Sequence, residues 1–127
     1  MSNGSETKSE TWINGVKLEK VEPGASKNDT TKIDLSLVPR EALEAAAIAL
    51  QVGERKYGRY NYYKGHKASQ LVAAMMRHLT AWMDGEENDP QDGQPHLGSV
   101  IAGAAMLLKQ QKLGTLQDNR YKKEGIK

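Results

Sequence analysis

Apolar side chains return at helical spacing in three stretches of the chain. The first begins near Pro39, which suits a first-turn position, and carries Leu43, Ala46, Ala47 and Leu50 at the i, i+3, i+4, i+7 spacing of one buried face. Gly53 and Gly58 mark where it can end. A second helix is predicted from about Ser69 to Asp84, with Val72, Met76, Leu79 and Met83 on one stripe and Leu71, Met75 and Trp82 beside it, a broad face expected to be buried. The third opens after Asp92-Gly93-Gln94-Pro95 and sets Leu97, Val100, Ile101, Ala104 and Leu108 on a stripe whose small residues permit close helix contact. Strand signals are weak: Tyr60–Tyr63 clusters β-formers but is too short and too polar to found a sheet.

These stretches predict an all-α domain over 32–113, a small bundle of three main helices. Three helices of this length bury little alone, and the wide stripe on the second exceeds what two short neighbours cover. Completion by a second copy, as a homodimer or homotetramer, is therefore expected. Residues 1–31 are polar apart from a weak patch at Trp12, Ile13, Val16, Leu18 and Val21. A flexible arm is expected there, with a short strand or a strap on a partner subunit as the alternative. Residues 114–127 turn polar again, ending in Arg120, Lys122, Lys123 and Lys127, and read as a solvated tail.

Composition narrows the functional classes. At 127 residues the chain is too short for two independent cores. A formal charge of +2 gives no ground for a polyanionic partner, so nucleic acid is disfavoured. Zero cysteines remove disulfide scaffolds, thiolate zinc sites and cysteine nucleophiles, and agree with a cytoplasmic setting, the host cytoplasm if the chain is phage-encoded. No apolar run approaches the roughly 20 residues that span a bilayer, and the first ten residues lack the apolar region of a secretory signal, so no membrane role is expected.

Two loops concentrate chemistry. Residues 53–67 place Tyr57, Tyr60, Tyr62 and Tyr63 among Arg55, Lys56, Arg59, Lys64 and Lys67. Cations beside aromatic faces hold phosphate with one group and stack a base with the other; a plain basic surface loop is the alternative. Between the second and third helices, Asp84, Glu86, Glu87, Asp89 and Asp92 put five carboxylates within nine residues. Like charge at that density calls for cations to share it, and oxygen ligands favour Mg²⁺, Mn²⁺ or Ca²⁺ over zinc, against the alternative of a solvated turn. An EF-hand fails, because a loop started at Asn88 puts Pro90 at its third position and Ser99 where the bidentate Glu belongs. His78 falls on the face of Leu71, Met75 and Trp82 and so points inward, as a core histidine or a ligand. His96 sits in the opening turn of the third helix, a place that suits phosphate or an acidic neighbour.

Other chemistries find no support. Gly98-Ser99-Val100-Ile101-Ala102-Gly103 has the glycine spacing of a P-loop, but Ala104 and Ala105 stand where Lys and Ser/Thr are required. No G-x-S-x-G, H-E-x-x-H or G-x-G-x-x-G pattern occurs, which disfavours covalent hydrolase chemistry.

Taken in order, Lys32-Ile33-Asp34-Leu35-Ser36-Leu37-Val38-Pro39, Gly53-x-x-Lys56-Tyr57-Gly58 with Asn61 and Lys64-Gly65, Arg77-His78, Gly85-Glu86-x-x-Asp89 and Gly93-x-x-His96-Leu97 resemble the phage dATP/dGTP diphosphohydrolase family. That family includes the MazZ enzymes and is linked to the MazG-like all-α nucleoside triphosphate pyrophosphohydrolases. The resemblance covers about residues 32–110. It implies an all-α, metal-dependent enzyme that cuts a purine deoxynucleoside triphosphate to the monophosphate and pyrophosphate. Beside it, Glu86 and Asp89 are the expected ligands of Mg²⁺ or Mn²⁺, sharing a face if the second helix continues past Gly85, with His78 the third catalytic candidate. Lys56 and Lys64 are expected to grip phosphate, Tyr57 and Tyr62 to stack on or edge the base and sugar, and Asn61 to orient the substrate, with Arg77 and His96 also in the binding set. The chain departs from the family at Gln91, where an acidic residue is frequent, and at Tyr62, where Trp is frequent. It also has only Glu41 and Glu44 on the first helix, followed by Glu54, in place of the EExxE cluster of the MazG-like group. A non-catalytic helical module that binds a nucleotide or single-stranded nucleic acid is the alternative function.

Overall fold

A computed structural model describes residues 11–18 and 32–122. The expectations for the rest of 1–31 and for 123–127 lie outside the described residues. The chain divides after Leu37 into two units.

In the first unit the weak apolar patch takes its strand form. Strands β1 (Thr11–Ile13) and β2 (Val16–Leu18) pair antiparallel, with Trp12 opposite Lys17. Asn14 and Gly15 both have positive φ, the two-residue turn whose twist matches that of the strands it joins. A short 3₁₀ turn, Leu35–Leu37, follows, and the Asp34 carboxylate accepts hydrogen bonds from the Ser36 N–H and hydroxyl.

The second unit is helical. Helix α1 (Arg40–Tyr57) starts on Pro39 and stops at Gly58, whose N–H donates to the Glu54 carbonyl. Tyr60–Tyr63 is no strand: Asn61–Lys64 forms a 3₁₀ turn. Helix α2 (Ala68–Met83) and helix α3 (His96–Leu113) complete the unit, and α3 packs against α1, α2 and the 3₁₀ turn. Among the described residues no helix is long and apolar enough to cross a membrane.

The buried faces differ from those expected. On α3 the inward residues are His96, Gly98, Ala102, Gly103 and Gln110, while Leu97, Ile101 and Leu108 of the expected stripe are exposed. The reason is backbone approach. Gly98 sits so close to α1 that an added Cβ would lie 2.3 Å from the Ala45 carbonyl oxygen, and larger side chains are turned away from that seam. On α2, Leu71 is buried but the stripe of Val72, Met76, Leu79 and Met83 is open, with Met76 62% and Met83 77% exposed. Among the described residues α2 packs chiefly against α3, which takes the adjoining face.

Gln110 is wholly buried and ties three segments together. Its Nε2 donates to the Tyr62 carbonyl and to His66 Nδ1, and its Oε1 accepts from the His66 N–H, each at 2.9 Å. The polar residues after α3 follow this anchor. Gln117 N–H donates to the His66 carbonyl and the Gln117 carbonyl accepts from Ala68 N–H, while Asn119 Oδ1 accepts from Ser69 N–H at the start of α2. Gln117 and Asn119 thus supply acceptors for N–H groups that an opening helical turn leaves without partners.

Candidate functional site

Where α1, α2 and α3 meet around the small residues Ala102 and Gly103 there is a cavity of about 280 Å³. Its wall is mixed. Leu50, Leu71, Met75 and Met106 give it an apolar floor, and Lys56, Tyr57, Asn61, Tyr62, His66, His78, Gln94 and Ser99 bring polar groups to it. A mostly apolar hollow with a few convergent polar groups is the usual form of a small-molecule site. Five of the sequence candidates therefore share one cavity: Lys56, Tyr57, Asn61, Tyr62 and His78. Lys64 is exposed and does not line it. Arg77 lies in a separate shallow hollow with Met76, Thr80 and Asp84.

Helix α2 does not continue past Gly85. It ends at Met83, Gly85 has φ +100°, and so Glu86 and Asp89 belong to the loop rather than to one helical face. The loop is held by its own backbone. Asp89 N–H donates to the Gln94 carbonyl at 2.8 Å, Gly93 N–H to the Asp89 carbonyl at 2.7 Å, and His96 N–H to the Glu87 carbonyl at 3.0 Å. This folding places Asp89 beside two histidines.

His78 Nδ1 and His96 Nδ1 are 2.9 Å apart in a shared hydrogen bond, and His96 Nε2 donates to a Glu86 carboxylate oxygen at 2.7 Å. His78, Asp89 and His96 each direct one ligand-capable atom into a group whose members lie within 4.8 Å of one another. The expected pair of Glu86 and Asp89 is thus divided: Asp89 joins the histidines, and Glu86 stands behind His96. His96 is only 4% exposed, so its place at the opening of α3 is spent on these internal bonds rather than on a solvent-facing anion.

Electrostatics agree with this arrangement. Partial burial, reinforced by the neighbouring His96, pushes the His78 imidazole below its ordinary pKa. The Gln94 amide holds the Asp92 carboxyl below the usual carboxylate range, and Lys56 and His78 lie near enough to lower it further. Lys56 therefore reaches the field of the acidic loop from α1. Arg59, paired with Glu54, holds that carboxyl low, and burial raises the Tyr62 phenol, which stays protonated and able to donate.

Sequence reasoning missed Gln110, His66, Gln94 and Ser99. Gln110 sits in Lys109-Gln110-Gln111-Lys112, which looks like a solvated helix end. The signal was its register: His96, Gly103 and Gln110 stand seven residues apart, and all three are buried.

Residues 22–120 match the family described as dATP/dGTP diphosphohydrolase, N-terminal. A protein of Salmonella phage PMBT28 named dATP/dGTP diphosphohydrolase is 34% identical over 81 residues, which is 64% of this chain and 28% of that relative. No solved structure matches the chain. With most of its length, including every helix among the described residues and both loops of the site, inside the matched region, the chain belongs to the dATP/dGTP diphosphohydrolase family.

Proposed function

We propose that this chain hydrolyses a purine deoxynucleoside triphosphate, dGTP or dATP, to the monophosphate and pyrophosphate, with Mg²⁺ or Mn²⁺ as the cofactor. One observation carries the reading: His78 belongs both to the cavity wall and to the His78–Asp89–His96 group, so a ligand in the cavity lies next to the residues able to hold a cation. The PMBT28 relative's name supplies the substrate class.

In this reading Tyr62 and Asn61 engage the base and sugar, and Lys56 pairs with the triphosphate. Two imidazoles and a carboxylate are a donor set suited to a divalent cation. When bound, the cation neutralises phosphate charge and lowers the pKa of water. Water oxygen adds to the α-phosphorus, and the bond from that phosphorus to the oxygen bridging to the β-phosphorus breaks. Pyrophosphate leaves, and the water's proton passes to a carboxylate of the acidic loop.

The test is turnover by the purified chain against separate ribo- and deoxynucleoside triphosphates, resolving monophosphate plus pyrophosphate from diphosphate plus phosphate. Monophosphate from purine deoxynucleotides, lost on adding EDTA, is expected. Diphosphate as the product, or no turnover from folded protein, overturns the reading.

A further inference from the structure

We propose that His78, Asp89 and His96 form a site for a first-row transition-metal dication in preference to Mg²⁺, with Glu86 as the hydrogen-bond partner that orients His96 rather than as a ligand. The inference rests on the functional reading above only for its purpose; the site itself follows from four side chains.

Begin with His96. It is buried, and its Nε2–H is engaged by the Glu86 carboxylate at 2.7 Å. Nδ1 is the nitrogen left to bind an ion, and it faces His78 Nδ1 at 2.9 Å. Two nitrogens about 2.1 Å from one ion are about 3 Å apart at right angles and about 3.4 Å apart at the tetrahedral angle. An ion would therefore replace the hydrogen bond between the rings with a shift of about half an ångström or less, and the group, whose atoms lie within 4.8 Å of one another, would draw together around it. Asp89 adds an oxygen to the same group, and its own backbone hydrogen bonds to Gln94 and Gly93 fix where that carboxylate starts from. A carboxylate behind a ligating histidine is the usual means of setting which ring nitrogen meets the metal.

Donor type then decides the ion. Mg²⁺ takes oxygen ligands, keeps its water and gains little from imidazole, whereas Co²⁺, Fe²⁺ and Zn²⁺ bind imidazole well and Mn²⁺ falls between. The acidic loop read as sequence pointed to oxygen-only coordination. Folding substitutes two ring nitrogens for all but one of those oxygens.

The experiment uses the full chain, stripped of metal and free of nucleotide. Co²⁺ is titrated in, and its visible d–d absorption is followed, with Zn²⁺, Mn²⁺ and Mg²⁺ as competitors. Saturable Co²⁺ binding that Zn²⁺ displaces and equimolar Mg²⁺ does not is expected. His78→Gln should abolish the absorption, and Glu86→Gln should retain it with affinity reduced roughly 10- to 100-fold. Displacement of Co²⁺ by equimolar Mg²⁺ overturns the proposal without reference to any variant. So does a Co²⁺ spectrum unchanged in folded His78→Gln. Turnover supported by Mg²⁺ in protein that shows no Co²⁺ binding would sink this inference and leave the hydrolase reading standing.

Discussion

Two alanine substitutions at helical glycines should move stability in opposite directions, and the contrast tests how α1 meets α3. Alanine is favoured over glycine in a helix interior by about 1 kcal/mol, so propensity alone predicts that Gly53→Ala and Gly98→Ala both stabilise. The surroundings differ. Nothing lies within 4 Å of a Cβ built on Gly53, but at Gly98 it would stand 2.3 Å from the Ala45 carbonyl oxygen, 2.7 Å from its carbon and 3.0 Å from its Cβ. The nearest atom is backbone and cannot rotate aside, so α1 and α3 must part by about 1 Å, losing dispersion contacts along the seam. Overpacking of this kind costs about 1–3 kcal/mol, which offsets the propensity gain and leaves Gly98→Ala destabilised by up to about 2 kcal/mol. For a domain of this size each kcal/mol is worth about 4–8 °C in Tm. Gly53→Ala should therefore melt several degrees higher than the parent and Gly98→Ala several degrees lower, by calorimetry or circular dichroism at one protein concentration. Equal stabilisation by both variants would refute the close approach of the two helices.

Gln110→Met should keep most of the volume but leave the His66 N–H and the His66 Nδ1 without their partner and take one of two hydrogen bonds from the Tyr62 carbonyl; at about 1–3 kcal/mol for each unpaired group, the urea midpoint should drop by the equivalent of about 3 kcal/mol. Tyr62→Ala should weaken nucleotide binding by roughly 10- to 100-fold, from a stacking contribution of about 1–3 kcal/mol, in a titration without turnover. The lowered pKa of His78 gives a pH prediction: below about 6.5 the unfolded chain binds a proton that the metal-free fold resists, so this contribution to stability falls as pH is lowered from there toward the folded-state value. Urea midpoints of metal-free protein across that window should show the decline, and His78→Gln should flatten it.

Much of the helical framework was legible because punctuation and periodicity agree. Pro39, Gly58, Pro95 and Gly114 bound α1 and α3 at the residues where sequence chemistry places caps, and the inward turn of His78 followed from helical angle alone. The faces were harder. A hydrophobic stripe marks what is apolar, not what meets a neighbour, and here Gly98 and Gly103 make close helix approaches and Ala102 is buried while Val72, Met76 and Leu108 stay open. For the site, the candidate residue types were visible but their partners were not. Whether Glu86 meets an ion or His96 depends on where α2 stops. Gly85 at positive φ ends the helix and turns the carboxylate toward α3. Gln110 was hidden for another reason: a buried amide with every hydrogen used looks, in sequence, like any glutamine on a solvated turn.

If the His78–Asp89–His96 group is the reacting centre for a nucleotide held in the adjoining cavity, Asp89 matters far more to turnover than to nucleotide binding. The most direct measurement compares wild type with Asp89→Asn for dGTP or dATP turnover under excess Mn²⁺, with nucleotide affinity determined on the same preparations. Affinity should change by no more than a few fold while turnover falls by roughly 100-fold or more, the signature of an interaction made in the transition state. Turnover by Asp89→Asn equal to that of wild type would contradict that role and move the chemistry elsewhere in the chain.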